Sequence, residues 1–207
     1  MNLSSLKKKY VEMIHRERAF LIRKEPFTLR QGGTSRLYLN HREFLSHHKH
    51  LKLLADVYIA LLPKTLRSYK LVATDSVMSP ILTGMLSARL KKDIVSVREK
   101  TGEHGLEKTV YGIANGEGIL IDDVASSGTV LVNATKTLRD VGMTVRYAIV
   151  SACRDLEPVQ KLKAIGITAL YVATYEEIIR LLWPNLDATE RSIVKQEIKE
   201  KTLPWKL

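Results

Sequence analysis

The sequence predicts an α/β fold in which a central parallel β-sheet is flanked by helices. From about residue 69 onward, apolar strand-like stretches alternate with segments of helical periodicity, which is the pattern of β–α–β units. The stretch at 118–124 reads Gly-Ile-Leu-Ile-Asp-Asp-Val, and its apolar run is typical of a strand that is buried on both faces. A chain of 207 residues, 45% of them hydrophobic, is large enough for one globular domain with a sizeable core.

The elements are expected in a definite order along the chain. A helix over 3–22 and a hairpin around Gly32 and Gly33 come first, and a second helix runs from about 47 to 62. The alternating part then has strands at 69–74, 93–97, 118–124, 144–152 and 167–173, helices at 80–90, 129–141 and 158–165, and a loop at 101–115 with a ribbon at 108–113. Helices at 175–183 and 187–201 form a tail that we expect to pack on the outside.

We predict one domain over 1–207, made of an N-terminal helix and hood segment (1–45), a core (46–180) and a C-terminal helical tail (181–207). Arg30 and Arg36 lie on either side of the hairpin turn of the hood. They either face an anionic ligand or are ordinary surface charges.

The ends of the predicted strands indicate where a ligand would bind. Ligands of parallel α/β sheets bind beyond the carboxyl ends of the strands. We therefore expect Asp75, the loop 101–115, residues 122–129 and Arg154 around one crevice. The loop carries basic groups and His104, so it is either a lid that closes over an anionic ligand or an inert loop.

The turn after the strand at 118–124 combines several groups that suit a sugar phosphate. Two carboxylates, Asp122 and Asp123, are followed by the small residues 126–129 and then by a helix. Backbone N–H groups at a helix N-terminus favour an anion, whereas carboxylates suit hydroxyls or a hydrated cation. An ordinary strand–turn–helix connection with a capping hydroxyl explains the same residues equally well.

The bulk composition is basic, with 33 Lys and Arg against 22 Asp and Glu and a net charge of +11. This charge suits phosphorylated ligands or nucleic acid. The basic residues are spread along the chain, however, and aromatic residues make up only 6% of it, so nucleic acid is possible but not favoured as a partner. The single cysteine, Cys153, excludes an internal disulfide, and no signal peptide or membrane span is evident, so we expect a cytoplasmic protein.

Several common motifs are missing from the sequence. It has no GxxxxGK[ST], no GxGxxG after a strand and no GxSxG, which disfavours a P-loop nucleotide hydrolase, a dinucleotide-dependent enzyme and a serine hydrolase. His47, His48 and His50 are close together, but only the first and last share a helix face and no cysteine or HExxH accompanies them. A zinc site is therefore disfavoured.

Four segments of the chain resemble the motifs of a known family. Residues 119–129, Ile-Leu-Ile-Asp-Asp-Val-Ala-Ser-Ser-Gly-Thr, resemble the phosphoribosyl-pyrophosphate motif of type I phosphoribosyltransferases, and within these the orotate phosphoribosyltransferases. Three further segments fall in the matching order: the hood segment 27–40, the loop that begins at Arg98 and includes His104 and Gly105, and Arg154 after the strand at 144–152.

The resemblance implies the fold of that family and Mg²⁺-dependent transfer of ribose 5-phosphate from phosphoribosyl pyrophosphate to a nucleobase, most simply orotate, giving orotidine 5′-monophosphate in pyrimidine biosynthesis. The cleft residues it implies are Asp122 and Asp123 for the ribose hydroxyls, with Mg²⁺ held near Asp123 through water and the substrate, and Ser126, Ser127, Gly128 and Thr129 for the 5-phosphate. Val124 and Ala125 are implied as further residues that bind phosphoribosyl pyrophosphate. It further implies a base site at Arg30, Tyr38, Leu39, Ser126 and Arg154, and a homodimer in which the loop 98–112 acts in trans through Arg98 and His104.

The sequence departs from the family where the leaving pyrophosphate would bind. Val77, Glu99 and Gly102 stand at positions where the family has lysines. Fixed cations stabilise the charge that develops on a leaving group, and losing one such donor typically costs about 10²–10³ in rate. Either Lys100 or Lys108, which lies further along the loop, could replace part of the missing charge, and Lys100 is the candidate catalytic residue of the two.

Three functions stay open at this point. The chain is an orotate phosphoribosyltransferase, a catalytically weakened or inactive protein that binds phosphoribosyl ligands and regulates, or a transferase for another base. Orotate specificity depends on Arg30 and Arg154, which suit a carboxylate but would also suit a phosphate.

Overall fold

The computed structural model describes residues 2–29, 32–99 and 108–205. The chain begins with helix α1 (Leu3–Arg16), which the Asn2 side chain caps by accepting a hydrogen bond from the Ser5 N–H at 2.9 Å. Strands β1 (Phe20–Thr28) and β2 (Thr34–Leu39) follow and pair antiparallel, so the predicted hairpin is confirmed.

The first helix ends earlier than predicted. Phe20 to Ile22 pair with β2 and do not continue α1, so the predicted helix over 3–22 is wrong beyond Arg16. Arg18 turns the chain with a positive φ of 53°. The sequence is ambiguous here because Phe20 and Leu21 also fit the apolar spacing of the helix; pairing with a distant strand decides between the two.

The remaining elements alternate as predicted, with ends shifted by a few residues, except that the helix His41–Phe44 was not predicted and the strand predicted at 118–124 is interrupted at Asp122 and Asp123. They are α2 (His41–Phe44), α3 (His48–Leu61), β3 (Lys70–Ala73), α4 (Ser79–Leu90), β4 (Ile94–Val97), β5 (Val110–Tyr111), β6 (Glu117–Ile121), β7 (Val124–Ala125), α5 (Thr129–Asp140), β8 (Thr144–Cys153), α6 (Glu157–Ala164), β9 (Thr168–Thr174), α7 (Tyr175–Leu182) and α8 (Ala188–Glu200).

The central sheet has the order β5-β4-β3-β6-β8, with β9 on the far edge of β8 and β7 pairing with the end of β8. Every pair is parallel except β4 with β5. The predicted parallel α/β sheet is thus confirmed. Parallel strands end at one edge of a sheet, so the residues that follow β3, β6, β7 and β8 meet there.

Helices cover both faces of the sheet, as the strand β6 shows most directly. Ile119 and Ile121 belong to the core on the side of α1, α3, α4 and α7, whereas Leu120 belongs to the core on the side of α5 and α6. All three side chains are fully buried. This is the reason that β6 is apolar at consecutive positions and does not alternate.

Of the two C-terminal helices, α7 is part of the core. Tyr175, Ile178, Ile179 and Leu182 of α7 are buried in the same core as α1 and α3, so the expectation of outside packing is wrong for α7. A capping box at Thr174 and Glu177 begins this helix. The division of the chain into hood, core and tail stays a prediction, and α7 runs across the predicted boundary at residue 180.

Helix α8 holds the hood through one buried carboxylate. Glu197 is 2% exposed and accepts hydrogen bonds from the Ser35 hydroxyl at 2.7 Å and the Arg36 N–H at 3.1 Å. The Arg36 guanidinium lies 3.6 Å from Glu197 and 2.5 Å from Glu200. Arg36 therefore neither faces a ligand nor is an open surface charge, and both sequence-based interpretations of it are wrong.

Within 2–29, 32–99 and 108–205, no helix has the length and apolar character needed to cross a membrane.

Candidate active site

A crevice of about 730 Å³ opens at the carboxyl ends of the parallel strands. The predicted groups Asp75, 122–129 and Arg154 all line it, as do the hood residues Tyr38 and Leu39. The crevice is therefore bounded by the sheet edge on one side and by the hood on the other. The ends of the strands predicted this arrangement, except that residues 108–115 of the predicted loop do not line the crevice and residues 101–107 lie outside the described residues.

The turn between β7 and α5 forms an anion site at one end of the crevice. Gly128 adopts φ 76°, and a Cβ added to it would lie 3.2 Å from Cα of Pro158. Only glycine fits this backbone and this close approach. The hydroxyls of Ser127 and Thr129 lie 3.1 Å apart at the start of α5, where the helix dipole favours a negative charge. The turn can hold a phosphate.

Asp122 points into the protein from the floor of the crevice. It is 3% exposed, and its carboxylate accepts hydrogen bonds from the hydroxyls of Thr74 at 3.1 Å and Ser76 at 2.6 Å and from the Asp123 N–H at 2.9 Å. Burial, together with the neighbouring charge of Asp123, raises the pKa of Asp122 to about 7. Asp122 thus ties the loop after β3 to the end of β6, and its role in holding a ribose hydroxyl stays a prediction.

Asp123 is the member of the pair that remains ionised. Its side chain is 20% exposed, and one oxygen lies 3.2 Å from Nδ1 of His41. Burial alone would raise the pKa of Asp123, but the hydrogen bond from His41, which favours the ionised carboxylate, outweighs it and holds the pKa below its usual value. Two adjacent carboxyls therefore have opposite tendencies, as is common where two acids have different tasks.

The sequence interpretation missed two candidate functional residues, His41 and Arg42. His41 lies beneath Asp123, and Tyr10 of α1 contacts its other ring nitrogen at 2.6 Å. Leu37, Leu39 and His41 follow each other at the two-residue spacing of a strand, and this alternation, which points all three inward, is the signal that could have found His41. Arg42 also lines the crevice and was missed because it falls outside the family motif.

Next to the turn at 126–129, the crevice carries a cation and an aromatic ring. Arg154 donates to the Ser126 hydroxyl at 3.3 Å, and its guanidinium lies 5.3 Å from the centre of the Tyr175 ring. Burial raises the pKa of Tyr175 to about 12, although Arg154 opposes this. A half-buried guanidinium next to an aromatic ring suits a planar anionic ligand.

The predicted site residue Arg98 is not brought into this arrangement. Arg98 is exposed, its N–H donates to Thr109 at 2.8 Å, and it does not line the crevice. Arg30, Lys100, Gly102 and His104 lie outside the described residues.

The predicted leaving-group part of the crevice carries the carboxylate of Asp75 and an apolar side chain. Val77 lines it with 62% of its surface exposed, and the Glu99 N–H donates to Asp75 at 3.0 Å. Within the described part of the chain, the Lys and Arg residues that line the crevice are Arg42 and Arg154.

The pKa of Asp122 predicts how stability depends on pH. An unfolded Asp releases its proton near pH 4, so between about pH 4 and 7 the folded state holds a proton that the unfolded state has lost. Stability therefore falls as pH rises through this window, by up to about 4 kcal/mol. In Asp122→Asn the side chain is neutral throughout, and we expect this fall to disappear in urea unfolding at pH 4 to 7. Parallel pH profiles of the wild type and the variant would contradict the assignment.

The crevice and the sheet define the class of protein. The crystal structure of orotate phosphoribosyltransferase from Aeropyrum pernix matches with a TM-score of 0.73 and 26% identity, over 83% of this chain and 97% of that one. The fold is that of the type I phosphoribosyltransferases, so the predicted fold is confirmed.

Within that class, the sequence is similar to orotate phosphoribosyltransferases. It is 26% identical to the enzyme of Staphylothermus marinus over 183 residues, 88% of each chain. It is 25% identical to that of Sulfolobus acidocaldarius over 162 residues, 75% of this chain and 79% of the relative. No protein-family model matches the chain. The predicted resemblance to this group is confirmed.

Proposed function

We propose that this protein transfers ribose 5-phosphate from phosphoribosyl pyrophosphate to a nucleobase, and that the base is orotate. The observation that carries the proposal is that one crevice is lined by the ionised Asp123, by the turn at 126–129 and by Arg154, whose guanidinium donates to Ser126 of that turn. Relatives that bear the name orotate phosphoribosyltransferase support the same reaction.

In this proposal the groups that line the crevice have separate tasks. The 5-phosphate binds the turn at 126–129, which leaves the ribose above Asp123. As the bond from the ribose carbon to pyrophosphate breaks, positive charge develops on that carbon, and a nearby fixed carboxylate stabilises it. A ring nitrogen of the base then bonds to the carbon and releases its proton to solvent, while Arg154 pairs with the carboxylate of orotate. The products are pyrophosphate and orotidine 5′-monophosphate.

The residues present also fit a magnesium ion. Mg²⁺ keeps several waters and is usually bound through one or two carboxylates together with substrate phosphates. Asp123 supplies one ionised carboxylate at the crevice, which fits an ion that arrives with pyrophosphate and is held through water. The ion would neutralise charge on the departing pyrophosphate.

The assembly and location are part of the proposal. We propose a homodimer in which the loop 98–112 of one subunit completes the crevice of the other, as the family resemblance implies. A cytoplasmic location is supported by the single, buried Cys153.

The test is a base panel. Protein, Mg²⁺ and phosphoribosyl pyrophosphate are mixed with orotate or with other purine and pyrimidine bases, and nucleotide formation is followed by absorbance and chromatography. Turnover is expected with orotate. Turnover with another base but not with orotate would support the same reaction with a different substrate. The same panel with Lys100→Ala tests whether that lysine replaces the missing cations, in which case activity falls.

A second candidate function is supported by the exposed Val77. Its apolar side chain and the carboxylate of Asp75 line the end where pyrophosphate would leave. This favours a protein that binds ribose 5-phosphate compounds and regulates without catalysis. Calorimetry would then show binding of ribose 5-phosphate, whereas the whole base panel stays without product. Turnover at an ordinary enzymatic rate would refute this candidate.

A further inference from the structure

We propose that His41 is a positioning residue, which is held by Tyr10 and presents the carboxylate of Asp123 to the ribose end of the crevice. The inference rests on the proposed function, because it concerns how the same crevice recognises a ribose 5-phosphate.

The hydrogen bonds run in one direction from α1 to the crevice. His41 is 1% exposed, with Nδ1 at 3.2 Å from Asp123 and Nε2 at 2.6 Å from the hydroxyl of Tyr10. An ionised carboxylate can only accept, so Nδ1 carries the hydrogen. In the neutral ring Nε2 then accepts from Tyr10. The Tyr10 hydroxyl thus selects the tautomer that donates to Asp123.

Both ends of this chain of hydrogen bonds are fixed. Tyr10 is fully buried and packs edge-on against Phe44 at a ring distance of 6.3 Å. The main-chain oxygen of Asp123 accepts from both the N–H and the hydroxyl of Ser151, at 2.9 and 2.7 Å. With its main chain and one carboxylate oxygen held from below, Asp123 is restricted to one orientation at the crevice. Groups that hold a ligating side chain in this way typically contribute about 10–100-fold to affinity or activity.

Packing alone does not require a histidine at this position. A buried imidazole and tyrosine hydroxyl lose their hydration, whereas an apolar side chain would fill the same space without that cost. A role in orienting Asp123 toward a ligand explains why His41 and Tyr10 are polar at these buried positions.

The experiment compares two ligands by calorimetry. Inorganic phosphate contacts the turn at 126–129 alone, whereas ribose 5-phosphate also reaches Asp123. We expect His41→Leu and Tyr10→Phe to weaken ribose 5-phosphate binding about 10–100-fold and to leave phosphate binding unchanged. His41→Asn, whose amide nitrogen can take the place of Nδ1, restores binding. In the transfer assay, the two impaired variants lower kcat/KM by a similar factor.

The matched control is His50→Asn. His50 is equally buried, but its Nδ1 lies 2.8 Å from the Phe44 carbonyl oxygen and it does not line the crevice. This control is expected to bind both ligands as the wild type does. Tyr10→Phe removes a single oxygen atom, so it carries the test if His41→Leu does not fold.

Each other outcome has a defined meaning. A parallel loss of phosphate and ribose 5-phosphate binding, or unchanged ribose 5-phosphate binding in Tyr10→Phe and His41→Leu, would overturn the positioning role while the proposed function stands. If the wild type binds ribose 5-phosphate no more tightly than phosphate, the proposed function fails first and the inference fails with it.

Discussion

Replacing Asp123 by Asn is expected to lower kcat/KM for phosphoribosyl transfer about 10²–10³-fold, which is the typical cost of removing one preorganised charge from a transition state. Asparagine has nearly the same shape and its oxygen can still accept from His41, so the change removes charge and leaves the packing intact. The protein should therefore unfold at nearly the same denaturant concentration as the wild type. Steady-state kinetics with orotate and phosphoribosyl pyrophosphate measure the effect.

The control for this prediction is Asp155→Asn. Asp155 also lines the crevice, but its carboxylate accepts from the Glu157 N–H at 2.8 Å, near the start of α6, and asparagine can take over this task. We expect a change of a few-fold at most. Equal losses in both variants would show that the net charge of the crevice matters and the position of Asp123 does not.

Replacing Glu197 by Ala is expected to lower the free energy of unfolding by about 3 kcal/mol, because it removes the buried acceptor that the Ser35 hydroxyl and the Arg36 N–H share. The Ser35 hydroxyl and the Arg36 main chain and side chain all lose their shared acceptor. The loss separates α8 from the hood, and the hood carries Tyr38 and Leu39 at the crevice. Urea unfolding measures the change.

Two further variants make this result specific. Glu200→Ala removes the other partner of Arg36, which is exposed, and should change stability far less. Glu197→Gln keeps an acceptor for Ser35 and should fall between the two. If Glu197→Ala were as stable as Glu200→Ala, the buried carboxylate would not be what holds the hood.

The fold was predictable because its signals are local. The apolar run of β6, the turn residues Gly32 and Gly33 and the alternation of strands and helices each depend on neighbouring residues. The phosphate turn belongs to the same group, because Gly128 and the hydroxyls beside it are contiguous in the chain. At Phe20 the apolar spacing fits both a helix and a strand, so the sequence alone could not distinguish them.

The tertiary structure decides that Asp122 and Asp123 differ in pKa and in surroundings. In the sequence the two acids are adjacent and equivalent. Thr74 and Ser76 surround one of them, and His41 contacts the other, so their pKa values move in opposite directions. Those partners are separated from the pair by more than forty positions, and no spacing rule connects them.

By itself, then, the sequence determined the parallel sheet, the edge at which its strands end and the turn that can hold a phosphate at 126–129. The tertiary structure decided which carboxylate faces the crevice, that His41 and Tyr10 lie beneath it, and that Arg36 belongs to the pairing with α8. The physical reason is the range of the forces involved. Periodicity and turn chemistry act between neighbours in the chain, whereas burial, ion pairing and pKa depend on groups that only folding brings together.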